Sequence, residues 1–208
     1  MIEIRSMTDD DAMAVARMHV SSITEGFLSR LGVRFVRQLY LGIARDDCSH
    51  VWLADDGARI IGFCAYSRNV SAMYKQVLRA RGVRLALASL PRSLNPIVIK
   101  EILDTLRYPA KQVEKELPSA EILSISVDAG SRGTGLGWQL IGKAINQARK
   151  DGEEAIKVLA GSKLEGANRF YQACGFEKHD EIVQHGGILN VYVRSCQSDE
   201  KAARPGVC

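Results

Sequence analysis

The sequence predicts a single domain of the α/β class, in its α+β form, with strands and helices sharing one core. Three observations predict it. Short β-prone runs recur along the chain, and amphipathic helical stretches separate them. One junction, 127-VDAGSRGTGLGWQLIGKAI-145, sets Gly130, Gly133, Gly135 and Gly137 between an apolar run and a helix. With 208 residues, 46% of them apolar, the chain has enough hydrophobic surface for one continuous core.

The elements follow in order. Ile2 to Arg5 alternates as a short strand, and Thr8-Asp9-Asp10-Asp11 has the form of a capping box opening a helix. That helix carries Met13, Ala14, Ala16, Val20 and Ile23 at helical spacing; after a break from Ser21 to Gly26 a second runs from about Ser29 to Ala44. His50 to Ala54 and Arg59 to Tyr66 flank the turn Asp55-Asp56-Gly57 and read as a β-hairpin. From Val70 to about Leu117 the chain is helical and irregular, punctuated by Pro91, Pro96, Pro109 and Pro118, and is taken as an insertion after the third strand. Glu121 to Val127 resumes as strand. A helix with Leu136, Leu140, Ile141, Ala144, Ile145 and Ala148 on one face follows the glycines and stops at Asp151-Gly152. A strand at Ala155 to Ala160, a helix at Gly166 to Ala173 and a final strand at Ile188 to Val193 complete residues 1–194; residues 195–208 read as a flexible tail.

Composition argues against several classes of function. No apolar run reaches the roughly 18 residues of a membrane span, and Met1 to Ala12 has no export signal, so a cytoplasmic protein is expected. The five cysteines form no C-x-x-C pair and His19, His50, His179 and His185 are scattered, so neither a disulfide framework nor a metal site is expected. A net charge of +4 with 6% aromatic residues lacks the basic, aromatic-rich stripe of a nucleic-acid binder.

A strand that ends in a glycine-rich turn and opens a helix presents backbone N–H groups at the positive end of the helix dipole, which is an anion site. A Cβ there would bar left-handed turn geometry and hold a phosphate away from the amides. Two familiar phosphate motifs fail. A G-x-G-x-x-G fingerprint starting at Gly133 meets Trp138 at its third glycine, and Gly137 to Lys143 fits G-x-x-x-x-G-K but continues with Ala144 where Ser or Thr would hold magnesium.

The remaining run, Arg132-Gly133-Thr134-Gly135-Leu136-Gly137, resembles the acyl-CoA pyrophosphate loop of the GNAT superfamily of N-acetyltransferases, and 167-ANRFYQACGF-176 is similar to its A-x-R-F-Y-x-x-x-G-F segment. The order of elements also resembles that fold, a mixed central β-sheet flanked by helices. The resemblance covers about Met1 to Arg194 and is weakest from Val70 to Leu117. It implies an acetyl-CoA-dependent N-acetyltransferase without a metal.

The same resemblance assigns roles. The amides of Arg132, Gly133, Thr134, Gly135, Leu136 and Gly137 would hold the CoA diphosphate. The main chain of Ile125, Ser126 and Val127, on a strand splayed from its neighbour, would hold the pantetheine arm and polarise the acetyl carbonyl. Tyr171 matches the tyrosine that protonates the departing thiolate. At Leu164 the sequence departs from an asparagine common in the superfamily, and Asn168, at a different helical angle, is the amide counted with the cofactor-binding set. Glu25, in the break between the first two helices, and Asp128, at the strand end, are the candidate bases. Nine Lys or Arg and only two acids between Arg68 and Lys111, with Arg30, Arg34 and Arg37 on one helical face, suit an anionic acceptor such as a nucleotide-linked amino sugar. The expected acceptor is a small-molecule primary amine. The alternatives are an idle acyl-CoA-binding or regulatory module, or an acetyltransferase of protein N-termini or lysines; a homodimer is one expected assembly.

Overall fold

The inner strands are near-continuous apolar runs because both faces of the sheet are covered, and the twin aspartates fix where the central hairpin turns. The computed structural model describes residues 1–24, 26–89, 117–184 and 186–197. Strands β1 (Glu3–Ser6), β2 (Ser49–Asp55) and β3 (Ile60–Ser67) are antiparallel neighbours. In the β2–β3 turn, Asp56 Oδ1 accepts the N–H groups of Ala58 and Arg59, both at 2.8 Å, and Gly57 takes φ +91°, where only glycine is unstrained.

Helices α1 (Ala12–Ser22), α2 (Phe27–Leu31) and α3 (Val33–Ile43) follow β1. The capping box forms at Thr8 and Asp11, on a 3-10 turn that leads into α1. Arg5 clamps it to the sheet, donating to Asp11 at 2.7 and 2.8 Å and to Asp55 at 2.8 and 3.0 Å. The single second helix expected from Ser29 to Ala44 is two helices. Gly32, at φ +86°, breaks the run, and hydrophobic spacing alone does not register a change in chain direction.

After β3, α4 (Val70–Ser89) packs along α3, where the absence of a side chain at Gly42 admits Val77. This first half of the expected insertion is part of the domain core: Val70, Met73, Val77 and Leu85 are buried with α1 and α3. The expectation for residues 90–116 lies outside the described residues.

Strand β4 (Glu121–Val127), a 3-10 turn (Ala129–Ser131), α5 (Leu136–Lys150), β5 (Ala155–Gly161), α6 (Glu165–Ala173), β6 (Glu177–Gln184) and β7 (Gly187–Ser195) complete the described chain. Among the described residues the sheet has seven strands in the order β1-β2-β3-β4-β5-β7-β6, with β4 and β5 parallel and the other pairs antiparallel. Strand β6 was not expected. Its sequence, EKHDEIVQ, is mostly polar because it is an edge strand with little burial, so it lacks the apolar signal of the inner strands.

Two apolar clusters lie on the two faces of the sheet. One contains α5, Tyr171, Phe176 and Tyr192; the other contains α1, α3 and α4 against Leu53, Phe63 and Ala65. Burying each large side chain contributes about 1.5–3 kcal/mol. Cys64, Cys174 and Cys196 are buried thiols within the described chain.

Candidate active site

The site begins with a defect in the sheet. Tyr66 pairs with Ile122 and Ala65 with Ser124, so Leu123 is looped out of β4 as a bulge. Strand β4 pairs with β5 only at Glu121 and Ile122, opposite Lys157 and Val158, while β5 stays paired with β7 along its whole length. A bulge bends its strand and ends pairing. Beyond Ile122 the two parallel strands part, leaving Leu123 to Val127 with one edge free of strand partners among the described residues.

That edge leads into the glycine turn. Gly133 and Gly135 take φ +79° and +82°, and a Cβ built on either would meet nothing within 4 Å, so backbone conformation, not crowding, requires glycine here. Gly135 is the N-cap of α5, and no side chain caps that end. The first amides of the helix, Leu136, Gly137 and Trp138, have no intrahelical acceptor and point outward. The Leu136 side chain is itself buried. Arg132 and Thr134 brace the loop: Arg132 Nε donates to Val127 O at 3.1 Å and Thr134 Oγ1 to Ser131 O at 2.8 Å. Gly137 is bare for another reason, since a Cβ there would lie 3.0 Å from the Phe170 ring.

Tyr171 is anchored by its own helix end. Gly175 N–H donates to Gln172 O at 2.9 Å and Phe176 N–H to Tyr171 O at 3.0 Å, with Gly175 at φ +78°. This is a Schellman cap, and the Phe176 ring packs edge-on against Tyr171 at 6.0 Å between centroids. The Y-x-x-x-G-F spacing therefore has a local cause. Burial raises the Tyr171 phenol well above its usual range, so the group is neutral.

Asn168 has both ends of its carboxamide engaged within the protein. Its Nδ2 donates to Gly161 O at 3.0 Å and Leu164 O at 2.8 Å, while Oδ1 accepts from Asn190 Nδ2 at 2.9 Å and Tyr192 OH at 3.0 Å. Leu164 packs over Gly161 with its side chain partly exposed. Asp128 forms an ion pair with Arg59 at 2.6 Å. Glu25 lies outside the described residues.

Sequence reasoning missed a buried polar chain on the opposite face of β4. Ser124 Oγ lies 2.6 Å from Tyr40 OH, which lies 2.8 Å from His19 Nδ1. His19 stacks on Phe63, and burial lowers its imidazole to about 4, so it is neutral. These residues are 21 and 84 positions apart in sequence, and no spacing rule connects them.

The fold is shared with known proteins. Residues 97–176 match the model of the acetyltransferase (GNAT) family. The chain is 41% identical over 63 residues to an uncharacterized N-acetyltransferase of Methanocaldococcus jannaschii, a match covering 30% of this chain and 28% of that protein. An N-acetyltransferase from Staphylococcus aureus Mu50 superposes with a TM-score of 0.62 at 15% identity, covering 95% of this chain and 99% of the other. The ribosomal-protein-S18-alanine N-acetyltransferase from Escherichia coli superposes with a TM-score of 0.58 at 12% identity, covering 96% and 97%. At such identities the structural likeness is one of fold. Residues 97–176 thus resemble the GNAT acetyltransferases, and the fold is the one that these solved acetyltransferases share.

Proposed function

We propose that the protein transfers an acetyl group from acetyl-CoA to the primary amine of a small molecule. The observation that carries this reading is the continuity of the β4 edge, opened by the Leu123 bulge, with the left-handed turn at Gly133 and Gly135 and the uncapped start of α5. Acetyl-CoA supplies the activated thioester. The amides from Arg132 to Gly137 hold its diphosphate, and the main chain of Ile125, Ser126 and Val127 lines its arm and donates toward the carbonyl oxygen. Asn168 acts by fixing the start of α6 to β5 and β7, and so positions Tyr171. Tyr171, held neutral, donates its proton or a hydrogen bond at the sulfur. Of the candidate bases Glu25 is preferred, because the Asp128 carboxylate already faces Arg59.

An amino sugar suits the site less through the arginines than the basic composition suggests. Arg45 pairs with Asp9, which precedes α1, and Arg81 and Arg37 help hold that carboxyl below its usual range, whereas the α1–α2 break follows the helix. An 11-residue helix places about 16 Å between those ends.

Calorimetry with acetyl-CoA, followed by release of free thiol in the presence of primary amines, tests the reading. Binding and turnover are expected, with turnover reduced in Tyr171→Phe. Failure to bind acetyl-CoA overturns it; binding without turnover of any small amine favours an idle acyl-CoA module, and turnover of peptide amines alone a protein acetyltransferase.

A further inference from the structure

The α1/α3 face of β4 carries two hydroxyls that the reaction above leaves unused. Because Leu123 bulges out, Ser124 and Ser126 oppose Ala65 and Phe63 and share their side of the sheet. Two positions apart on one strand, they stand about 7 Å apart. Their surroundings differ. Ser124 is half-buried and ends the chain through Tyr40 OH to His19 Nδ1, at 2.6 and 2.8 Å. Ser126 is 7% exposed, and its Oγ has no hydrogen-bond partner among the described residues. An unpartnered buried hydroxyl is destabilising and uncommon, so its retention calls for a group that arrives from outside.

The direction of the chain follows from acidity. A phenol is a stronger acid than an aliphatic hydroxyl, and a neutral imidazole nitrogen is the better acceptor. Tyr40 therefore donates to His19 and accepts from Ser124. The Ser124 proton is committed inward, and its lone pairs face the strand surface. The glycine turn and α5 belong to the other face, with Ile125 and Val127. A donor held there leaves the serine face to the second substrate.

We infer that Ser124 and Ser126 are the acceptor-recognition pair: Ser124 accepts an N–H of the reacting amine, and Ser126 engages a hydroxyl or carbonyl a few bonds from that nitrogen. The favoured acceptor class is an amino alcohol, amino sugars included, over a plain alkylamine. Tyr40 and His19 are positioning residues that act through Ser124. The inference rests on the acetyl-transfer reading.

The test uses the full chain with glucosamine, 2-aminoethanol and hexylamine, together with acetyl-CoA calorimetry on every variant. The wild type is expected to acetylate an amino alcohol in preference to hexylamine. Ser126→Ala raises the KM of the amino alcohol about tenfold more than that of hexylamine, as the loss of one hydrogen bond predicts. Ser124→Ala and Tyr40→Phe each lower kcat/KM about tenfold, the double variant is no worse, and acetyl-CoA affinity stays unchanged in these variants. Ser126→Ala also leaves the melting temperature level or raised. The inference is overturned by a preference for hexylamine, by turnover of no amino alcohol, by unchanged amine constants in the serine variants, or by a melting temperature lowered in Ser126→Ala. Loss of acetyl-CoA binding by the wild type overturns the acetyl-transfer reading itself, so calorimetry separates the two failures.

Discussion

Gly137 and Phe170 dock the two sequence motifs on each other: a Cβ at Gly137 would lie 3.0 and 3.2 Å from two carbons of the Phe170 ring. Trp138 adds an edge-on contact to the same ring at 6.3 Å, and Phe170 in turn packs against Tyr171 at 5.6 Å. The helix that opens at the glycine turn and the helix that carries the candidate acid are thereby held in one relation.

This contact separates two glycines of one helix. At Gly142 a Cβ would meet nothing, so Gly142→Ala gains helix propensity alone, about 1 kcal/mol. At Gly137 the same gain is opposed by overpacking of roughly 1–3 kcal/mol. Thermal unfolding should show Gly142→Ala raised by about 2–4 °C and Gly137→Ala level or lowered. An equal rise in both would mean that Phe170 yields freely.

At the turn, conformation is the constraint. Gly135→Ala places an L-residue at φ +82°, costing about 1–2 kcal/mol of stability, and it displaces the first amides of α5. Acetyl-CoA affinity is expected to fall about tenfold, the equivalent of one charge-assisted hydrogen bond. Gly130→Ala, with no positive φ and open space, should bind as the wild type does. Calorimetry on the two variants checks both.

What was legible in the sequence followed from local chemistry. The Asp56-Gly57 hairpin, the Thr8–Asp11 box and the stop at Asp151-Gly152 each depend on residues a few positions apart, and each formed; Gly152 N–H meets Arg149 O at 3.1 Å. The glycine loop and the Phe170-Tyr171 segment were visible because their spacing is dictated by helix ends. The split at Gly32 was not, since its flanking residues continue a helical hydrophobic pattern. Edge strand β6 carries little burial and hence little pattern. The His19–Tyr40–Ser124 chain arises only when three distant elements pack, and the Leu123 bulge depends on pairing with β3.

Neutral buried His19 should give stability a characteristic pH dependence. Its folded value is lowered to about 4 from 6.5, so between those values the unfolded chain binds a proton that the folded chain refuses. Stability is unaffected above about pH 6.5, falls as the pH drops, and levels near pH 4, with a total loss on the order of 3 kcal/mol. Urea unfolding at pH 7.5, 5.5 and 4.5 measures it, and His19→Gln, which cannot titrate, should flatten that part of the profile. An unchanged slope in the variant would assign the loss to other groups.

Asp11 contributes in a lower window. Its hydrogen bonds to Arg5 hold its carboxyl far below the usual 3.8, so its stabilisation is complete above about pH 4 and is lost as the pH falls further. Arg5→Met removes that advantage and should shrink the difference in melting temperature between pH 5 and pH 2.5. A difference equal to that of the wild type would show that the clamp between β1, β2 and the start of α1 does not depend on charge.

The closed arm of the β4–β5 fork has its own clamp. Lys157 is fully buried, its Nζ donates to Pro118 O, and it lies 3.5 Å from Glu121 Oε2 at the point where the strands are still paired. Burial lowers the Lys157 pKa, while Glu121 acts to keep the ammonium charged. Lys157→Met preserves most of the side-chain volume but removes the ammonium that faces the buried Glu121 carboxylate, a change that costs about 3–5 kcal/mol. Glu121→Gln together with Lys157→Met should recover much of that loss, because both members of the pair are then neutral. Urea midpoints of the two variants decide the matter. If Lys157→Met alone matches the wild type, the fork is closed by strand pairing and packing, and the ion pair contributes nothing to holding the arm together.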